Sequence, residues 1–146
     1  RAGARRLGGP YARGPVGCAD GSPLPRVPDA TVNAVAARVG QAPEARRFRP
    51  NIVDAGAAPF AEDEWRTLRV GEVELDIVKP CTRCVMINVD PRTGQSGPEP
   101  LRDLATWRRS DGKVHVAQNA VHRGPGRIRV GDRVEIVARV DADAGR

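Results

Sequence analysis

Hydrophobic positions along the chain follow two spacings, one typical of strands and one typical of helices. Val73, Leu75 and Ile77 alternate with acidic residues, which predicts a strand with one dry face. A second strand-like run, residues 67–70, lies just before it, and Gly71 begins the short turn between them. Together the two runs predict a β-hairpin.

The helical spacing predicts two short helices. Four apolar residues fall at i, i+3, i+4 and i+7 of the first one: Val32, Val35, Ala36 and Val39. Asp29 is placed to cap this helix and Gly40 to end it. Pro100 suits the first position of the second helix, in which Leu104 and Trp107 are expected to be buried.

Further strands are predicted in the second half of the chain. Apolar runs at 85–89 and 114–121 each predict one strand, and residues 90–94 predict a turn. A last strand pair is expected around Gly131, with its apolar positions at Ile128, Val130, Val134 and Ile136. Six or more short strands against two helices favour a mainly β protein with short helices, folded as a closed or nearly closed barrel.

Composition agrees with one globular domain. The chain has 146 residues, of which 40% are hydrophobic and 29% charged, a balance typical of a folded domain rather than a disordered segment. It begins at Arg1 and has no apolar run long enough for a signal peptide or a membrane span, so we expect a soluble, truncated chain with no membrane partner. Three cysteines argue against a disulfide framework and predict a reducing, cytoplasmic location.

The net charge of +6 is concentrated at the start of the chain. Residues 1–49 contain nine arginines and three acidic residues, whereas the two signs balance in the rest. Such a segment suits nucleic acid, an acidic redox partner or a phosphate-bearing cofactor. Aromatic residues make up only 3% of the chain, too few for base stacking, so nucleic acid is not expected. For residues 1–13 a solvated basic arm is the preferred interpretation.

Cys81 and Cys84 form a Cys-x-x-Cys motif, which has four interpretations. A zinc site is disfavoured because Cys18, His115 and His122 lack the spacing of a second ligand pair. A thioredoxin-type redox pair is disfavoured because a strand, not a helix, is predicted after the motif. Two interpretations remain: a pair of small buried hydrophobic residues, or one thiolate that holds a metal cofactor whose other ligands are not protein.

Two other stretches are candidates for anion binding. Arg47, Arg49 and Asn51 alternate with apolar residues, so an extended segment would place all three on one face. Guanidinium groups match phosphate oxygens in pairs, although a solvated strand face would have the same pattern. The start of the first helix, with Thr31, could present free amides to a phosphate, or could simply pack on a sheet.

Residues 60–65 predict a turn or a short helix. Trp65 is expected to anchor this segment in the core, and the acidic residues before it are expected to face water.

Other catalytic arrangements have little support in the sequence. His115 and His122 have no neighbouring pattern of a nucleophile triad. The two lysines, Lys79 and Lys113, do not lie in a recognisable pyridoxal-phosphate context, and three cysteines cannot supply a four-cysteine iron–sulfur site. A hydrolase or a pyridoxal-phosphate enzyme is therefore not predicted.

Several blocks in order resemble one known family. They are Arg47-Phe48-Arg49-Pro50-Asn51-Ile52-Val53, Phe60-Ala61-Glu62-Asp63-Glu64-Trp65, the stretch from Cys81 through Asp90-Pro91-Arg92-Thr93-Gly94, Glu99-Pro100-Leu101, Gln118-Asn119-Ala120 and Ile128-Arg129-Val130-Gly131-Asp132. The series resembles the MOSC domain, the molybdenum cofactor sulfurase C-terminal domain, in its amidoxime-reducing branch. The resemblance implies a MOSC-type β-barrel over residues 20–137, preceded by a flexible basic segment or domain remnant at 1–19 and followed by a tail at 138–146.

The resemblance also implies a cofactor and its contacts. The second cysteine of the motif would bind molybdenum, which makes Cys84 the metal ligand and the catalytic residue. Arg49 and Asn51 stand where the family contacts the pterin of the molybdenum cofactor, and Thr82 and Arg83 would hold the cofactor beside the metal. The remaining candidates for cofactor contact are Thr31, Gln118 and Asn119.

In function, the resemblance implies reduction of a small N-hydroxylated substrate at a cysteine-ligated molybdenum. Electrons would come from a separate haem or iron–sulfur protein, and an N-terminal β domain of the family would be missing from this chain. One alternative is a sulfur-carrier or cofactor-handling module that uses a Cys84 persulfide. Another is a cofactor-binding domain without turnover.

Overall fold

The computed structural model describes residues 5–6, 15–16 and 24–141. Its strands are β1 (Arg5–Arg6), β2 (Pro15–Val16), β3 (Leu24–Pro28), β4 (Ile52–Asp54), β5 (Trp65–Val70), β6 (Val73–Arg83), β7 (Arg109–Ser110), β8 (Lys113–His122) and β9 (Val134–Arg139). The helices are α1 (Asp29–Arg38) and α2 (Leu101–Trp107), with 3₁₀ helices at Ala45–Phe48, Ala61–Glu64 and Val85–Asn88. Most of the predicted basic segment at 1–19, with Cys18, lies outside the described residues.

One seven-stranded sheet forms the body of the domain. Its order is β4-β3-β8-β6-β5-β9, with β7 paired to β8, and β3 with β4 is the parallel pair among antiparallel ones. The sheet curls into a half-barrel, which confirms the predicted mainly β fold with short helices. Strands β4 and β9 are its two edges.

The predicted hairpin is present, and its second strand leads into the cysteine motif. Strands β5 and β6 pair around Gly71, whose positive φ of 57° suits a residue without a side chain. Strand β6 continues to Arg83 beside β8, so Cys81 lies within the sheet. The pairing is irregular around Pro80, where a residue without an amide hydrogen is best tolerated.

Two groups of apolar side chains lie on the sheet. The group under the helices contains Val27, Val32, Val35, Phe48, Cys81, Ile87, Leu104, Val114, Val116 and Ala117. The group under the hairpin contains Trp65, Leu68, Val70, Val73, Leu75 and Ala120. Both predicted helices therefore use their periodic apolar faces, although Trp107 at the end of α2 remains 38% exposed. Asp29 is the first residue of α1 and Pro28, not Asp29, is its N-cap.

Three predicted strand segments are wrong. Residues 45–48 form a 3₁₀ helix and Arg49 is left-handed, so Arg47, Arg49 and Asn51 are not an alternating strand face. Residues 85–88 also form a 3₁₀ helix, although their apolar run has the composition of a strand. Residues 128–130 are not in a strand, and β9 pairs with β5 in place of the predicted local partner.

A buried polar cluster lies between β3, β4 and α1. Arg26 is hydrogen-bonded to Asp54 and its guanidinium lies 4.4 Å from the centre of the Trp65 ring. Glu62 is fully buried and accepts a 3.0 Å hydrogen bond from the Thr31 hydroxyl. The expectation that the acidic residues before Trp65 face water is therefore wrong for Glu62.

Glu62→Gln is expected to make the domain more stable at neutral pH. Burial raises the pKa of Glu62 above its ordinary 4.5, because the charged form is poorly solvated. The folded state holds this proton more tightly than the unfolded chain does, so the residue's contribution to stability is greatest below about pH 4.5 and is lost as pH rises through the folded-state pKa. Glutamine has the same shape without the charge.

The measurement is urea unfolding of both proteins across a pH series. The advantage of Glu62→Gln should shrink as pH falls to about 4.5. Glu64→Gln is the control, since its side chain is 75% exposed and the change should stay within about 0.5 kcal/mol. A Glu62→Gln protein that is equally destabilised at every pH would contradict the assignment.

Candidate functional site

A cleft lies where the end of β6 meets the chain on either side of the first and third 3₁₀ helices. Its lining residues are Pro25, Arg47, Phe48, Arg49, Asn51, Cys81, Thr82, Arg83, Cys84, Met86 and Ile87. Five of the predicted site residues are in this set: Arg49, Asn51, Thr82, Arg83 and Cys84. The fold thus brings two motifs that are more than 30 residues apart into one cleft.

The two cysteines differ in their surroundings. Cys81 is 5% exposed and packs in the group under the helices, where burial raises the pKa of its thiol. Cys84 directly follows β6, is exposed, and stands at the N-cap position of the third 3₁₀ helix. A ligand can therefore approach Cys84, whereas Cys81 has the environment of a small apolar residue.

Arg49 and Asn51 are placed by an unusual turn. Arg49 ends the first 3₁₀ helix with φ 49° and ψ 49°, a left-handed conformation that is rare for residues other than glycine. Two residues later the backbone N–H of Asn51 donates a 2.7 Å hydrogen bond to the Pro25 carbonyl. This bond attaches the turn to β3 and keeps both side chains beside the cleft.

Cationic groups dominate the polar lining of the cleft. Arg47, Arg49 and Arg83 all reach it, together with the amide of Asn51 and the hydroxyl of Thr82. Arg47 is largely buried, and its Nε atom has no hydrogen-bond partner within the described part of the chain. This set of donors suits an anionic ligand with several oxygen atoms.

Three predicted site residues do not line the cleft. The Thr31 hydroxyl is fully buried, donates to Glu62, and accepts a 2.8 Å hydrogen bond from the Phe60 amide. Gln118 is buried in β8 and donates a 3.0 Å hydrogen bond to Asp63. Asn119 is buried next to it in the sheet. None of the three lines the cleft, although the strand register places Asn119 opposite Pro25 and Gln118 opposite Pro80, at the edge of the lining.

Sequence reasoning missed the apolar part of the lining. Met86 is 54% exposed at the cleft, while its neighbour Ile87 is buried beneath it. A strand at 85–89 would have placed Met86 and Ile87 on opposite faces of a sheet, whereas in the 3₁₀ helix both line the cleft. Pro25 and the Phe48 backbone also carried no signal, because their role depends on the pairing of distant segments.

The described residues contain no group of three His, Cys, Asp or Glu side chains arranged to hold a metal ion. Both histidines make backbone contacts: the His115 ring lies 3.3 Å from the Ser110 carbonyl, and the His122 ring 2.9 Å from the Gly124 carbonyl. No helix within residues 24–141 is both long and apolar enough to cross a membrane.

The order and spacing of the motifs can be compared with known families. A family model described as the MOSC domain matches residues 13–135. The chain belongs to the MOSC domain family. A similar fold is also found among solved structures: the crystal structure of YiiM from Geobacillus stearothermophilus matches with a TM-score of 0.57, covering 85% of this chain and 57% of that one. Sequence identity in that match is 16%, so it supports the fold alone.

Similar sequences come from two groups of MOSC proteins. Mitochondrial amidoxime-reducing component 1 of Mus musculus is 38% identical over 133 residues, which are 85% of this chain and 39% of the mouse protein. Molybdenum cofactor sulfurase of Oryza sativa subsp. japonica is 45% identical over 73 residues, 49% of this chain and 9% of the rice protein. The chain thus spans well under half the length of these relatives, and it matches the amidoxime-reducing ones over most of its own length.

Proposed function

We propose that this MOSC domain binds the molybdenum cofactor and forms part of an oxidoreductase that reduces small N-hydroxylated compounds. One observation carries the proposal: an exposed cysteine, Cys84, shares a cleft with three arginines and an amide. The names of the mouse and rice relatives, an amidoxime-reducing component and a molybdenum cofactor sulfurase, support the same cofactor chemistry.

The residues of the cleft fit the cofactor in the chemistry of their donors. A cysteine thiolate is a soft ligand suited to molybdenum, and Cys84 is the accessible cysteine of the motif. A pterin phosphate requires several N–H donors, and Arg49 and Asn51, which line the same cleft, can supply them.

When bound, the cofactor would supply the two electrons that cleave the N–O bond of the substrate, and an external donor would restore them. Cys84 would hold the metal, and Arg49 with Asn51 would hold the phosphate end. The apolar side chains of Met86 and Val85, both exposed beside Cys84, would exclude water from one side of the bound group. The protein's contribution is therefore binding, orientation and partial desolvation.

The partners of this reaction are also part of the proposal. Electrons would arrive from a separate haem or iron–sulfur protein, as the resemblance to the amidoxime-reducing branch implies. An N-terminal β domain would complete the cofactor contacts. The amidoxime-reducing relatives are named as mitochondrial proteins, and a cytoplasmic location for this chain stays a prediction.

A second candidate function is sulfur transfer, with Cys84 carrying a persulfide. It is favoured by the exposure of Cys84 and by the 45% identity with the plant sulfurase over 73 residues. Elemental analysis of protein folded with the cofactor separates the two functions. Molybdenum that stays bound through Cys84 supports ligation, whereas a cyanide-releasable sulfur on Cys84 without bound molybdenum supports the carrier.

Arg49→Ala and Asn51→Ala are expected to weaken cofactor binding while the fold stays intact. Each variant loses a hydrogen bond to the anionic cofactor. Such a bond is worth about 1.5 to 3 kcal/mol, so affinity should fall roughly tenfold to hundredfold. Molybdenum content after gel filtration measures this loss. Arg102→Ala is the matched control, because its side chain is 70% exposed on α2 and does not line the cleft. Unchanged cofactor retention in both cleft variants would refute the assignment of these residues.

A further inference from the structure

Arg83 lies beside Cys84, but its guanidinium is already engaged with the protein. Its Nε donates a 2.9 Å hydrogen bond to the Val116 carbonyl, and its Nη1 donates a 2.8 Å hydrogen bond to the Phe48 carbonyl. The guanidinium also lies 5.3 Å from the centre of the Phe48 ring. Arg83 thus joins the end of β6 to β8 and to the first 3₁₀ helix.

The Phe48 carbonyl belongs to the turn that places Arg49 in the cleft. The peptide that contains it leads directly into Arg49, whose left-handed backbone is costly for a residue with a side chain. A donor fixed on this carbonyl holds the peptide plane and therefore the direction in which the Arg49 side chain leaves the turn. Without that donor we expect the backbone at Arg49 to relax from the left-handed conformation toward a more common one.

A second arginine makes the reciprocal connection. Arg47 lies two residues before Arg49, and its Nη1 donates a 3.2 Å hydrogen bond to the carbonyl of Ile87, in the 3₁₀ helix that follows Cys84. Its other end group lies 4.0 Å from Asp90. Each of the two segments that form the cleft therefore sends an arginine to a backbone carbonyl of the other.

We propose that Arg83 and Arg47 are positioning residues that set the place of Arg49 relative to Cys84, and that Arg83 acts on the bound anion through Arg49 rather than by touching it. This inference rests on the proposed function and assigns Arg83 a different role from the direct cofactor contact implied by the family resemblance. Lysine cannot replace either residue, since a single ammonium group lacks the planar fork that reaches two acceptors.

The test is a double-mutant cycle on cofactor-loaded protein, in which the rate of molybdenum loss after dilution is measured for Arg83→Lys, Arg49→Ala and the double variant. Arg83→Lys should speed the loss about tenfold, the size of one misplaced charge-assisted contact. The double variant should lose metal no faster than Arg49→Ala alone, because Arg83 acts through Arg49. Arg46→Lys is the matched control, since it lies in the same turn, pairs with Glu44 and is 62% exposed.

The outcomes separate the inference from the proposed function. If the effects of Arg83→Lys and Arg49→Ala multiply, Arg83 contacts the anion directly and the positioning role is refuted while the site stands. If Arg49→Ala leaves the rate unchanged, both the site assignment and the positioning role fail. An unchanged rate in Arg83→Lys alone refutes only the positioning role.

Two further measurements guard against a loss of folding. Arg47→Lys probes the reciprocal contact from the other segment, and it should speed metal loss in the same direction with an unchanged urea unfolding midpoint. In Arg83→Ala, guanidinium ion far below denaturing concentration should slow metal loss, whereas tetramethylammonium at the same concentration should not. No rescue by guanidinium in a folded Arg83→Ala protein would contradict the positioning role.

Discussion

Cys84→Ser is expected to abolish reduction of benzamidoxime by the cofactor-loaded protein. The change replaces a soft sulfur donor by a poor, hard oxygen donor at the exposed end of β6. Since a serine hydroxyl stays protonated at neutral pH, it also cannot supply the negative charge that a thiolate brings to a metal. The measurement is turnover of benzamidoxime by the cofactor-loaded protein with an electron donor present.

Cys81→Ser is the matched control for this experiment. Cys81 is 5% exposed and packs against apolar neighbours, so most activity should remain. The buried hydroxyl should cost about 1 to 2 kcal/mol of stability. Equal loss of activity in both variants would favour a paired role for the cysteines, and an active Cys84→Ser enzyme would end the hypothesis that Cys84 is the ligand.

Trp65→Ala is expected to destabilise the domain by about 3 to 5 kcal/mol, the usual cost of emptying a large buried aromatic site. The Trp65 ring is 3% exposed, packs in the group under the hairpin and lies against the Arg26 guanidinium. Its loss would leave a cavity and would also uncover one face of a buried charge. The change is measured by urea unfolding. Far-ultraviolet circular dichroism is the probe, because the substitution itself alters tryptophan fluorescence.

Trp107→Ala gives the comparison for the other tryptophan. Trp107 is 38% exposed and its ring contacts Phe60 and the Arg38 guanidinium at the surface. Such contacts are worth about 1 kcal/mol each at most, so a clearly smaller loss of stability is expected. A Trp65→Ala shift well under about 1 kcal/mol would show that Trp65 does not anchor the core.

The regular parts of the fold were accessible from the sequence because their spacing is local. The apolar spacing in residues 32–39 predicted α1, and the alternation at 73–77 predicted β6 with its hairpin partner. The run at 114–121 matches β8, which is central to the sheet and almost entirely buried. In each of these segments the side-chain pattern agrees with the tertiary environment.

The 3₁₀ helices around the cleft were not accessible in the same way. Residues 47–52 alternate like a strand, but the backbone turns left-handed at Arg49, and no side-chain pattern records that turn. The apolar run at 85–89 buries Ile87 and exposes Met86, which follows from packing under α2 and not from the local sequence. The burial of Glu62 depends on Thr31, more than 30 residues earlier.

The candidate site was predicted in its motifs rather than in its full lining. The resemblance implied that Arg49, Asn51 and Cys84 share one site, and the structure has all three in the lining of one cleft. It could not separate side chains that reach the cleft from those, such as Gln118, that support it from within the sheet.

The proposal that Cys84 is the protein's sulfur ligand to molybdenum can be tested at the metal itself. Its most direct test is X-ray absorption at the molybdenum edge on cofactor-loaded wild-type protein, Cys84→Ser and Cys81→Ser. Molybdenum that remains with Cys84→Ser should have one sulfur neighbour fewer than in the wild-type protein, and Cys81→Ser should match the wild-type. The same sulfur count in the wild-type protein and in Cys84→Ser would contradict the claim.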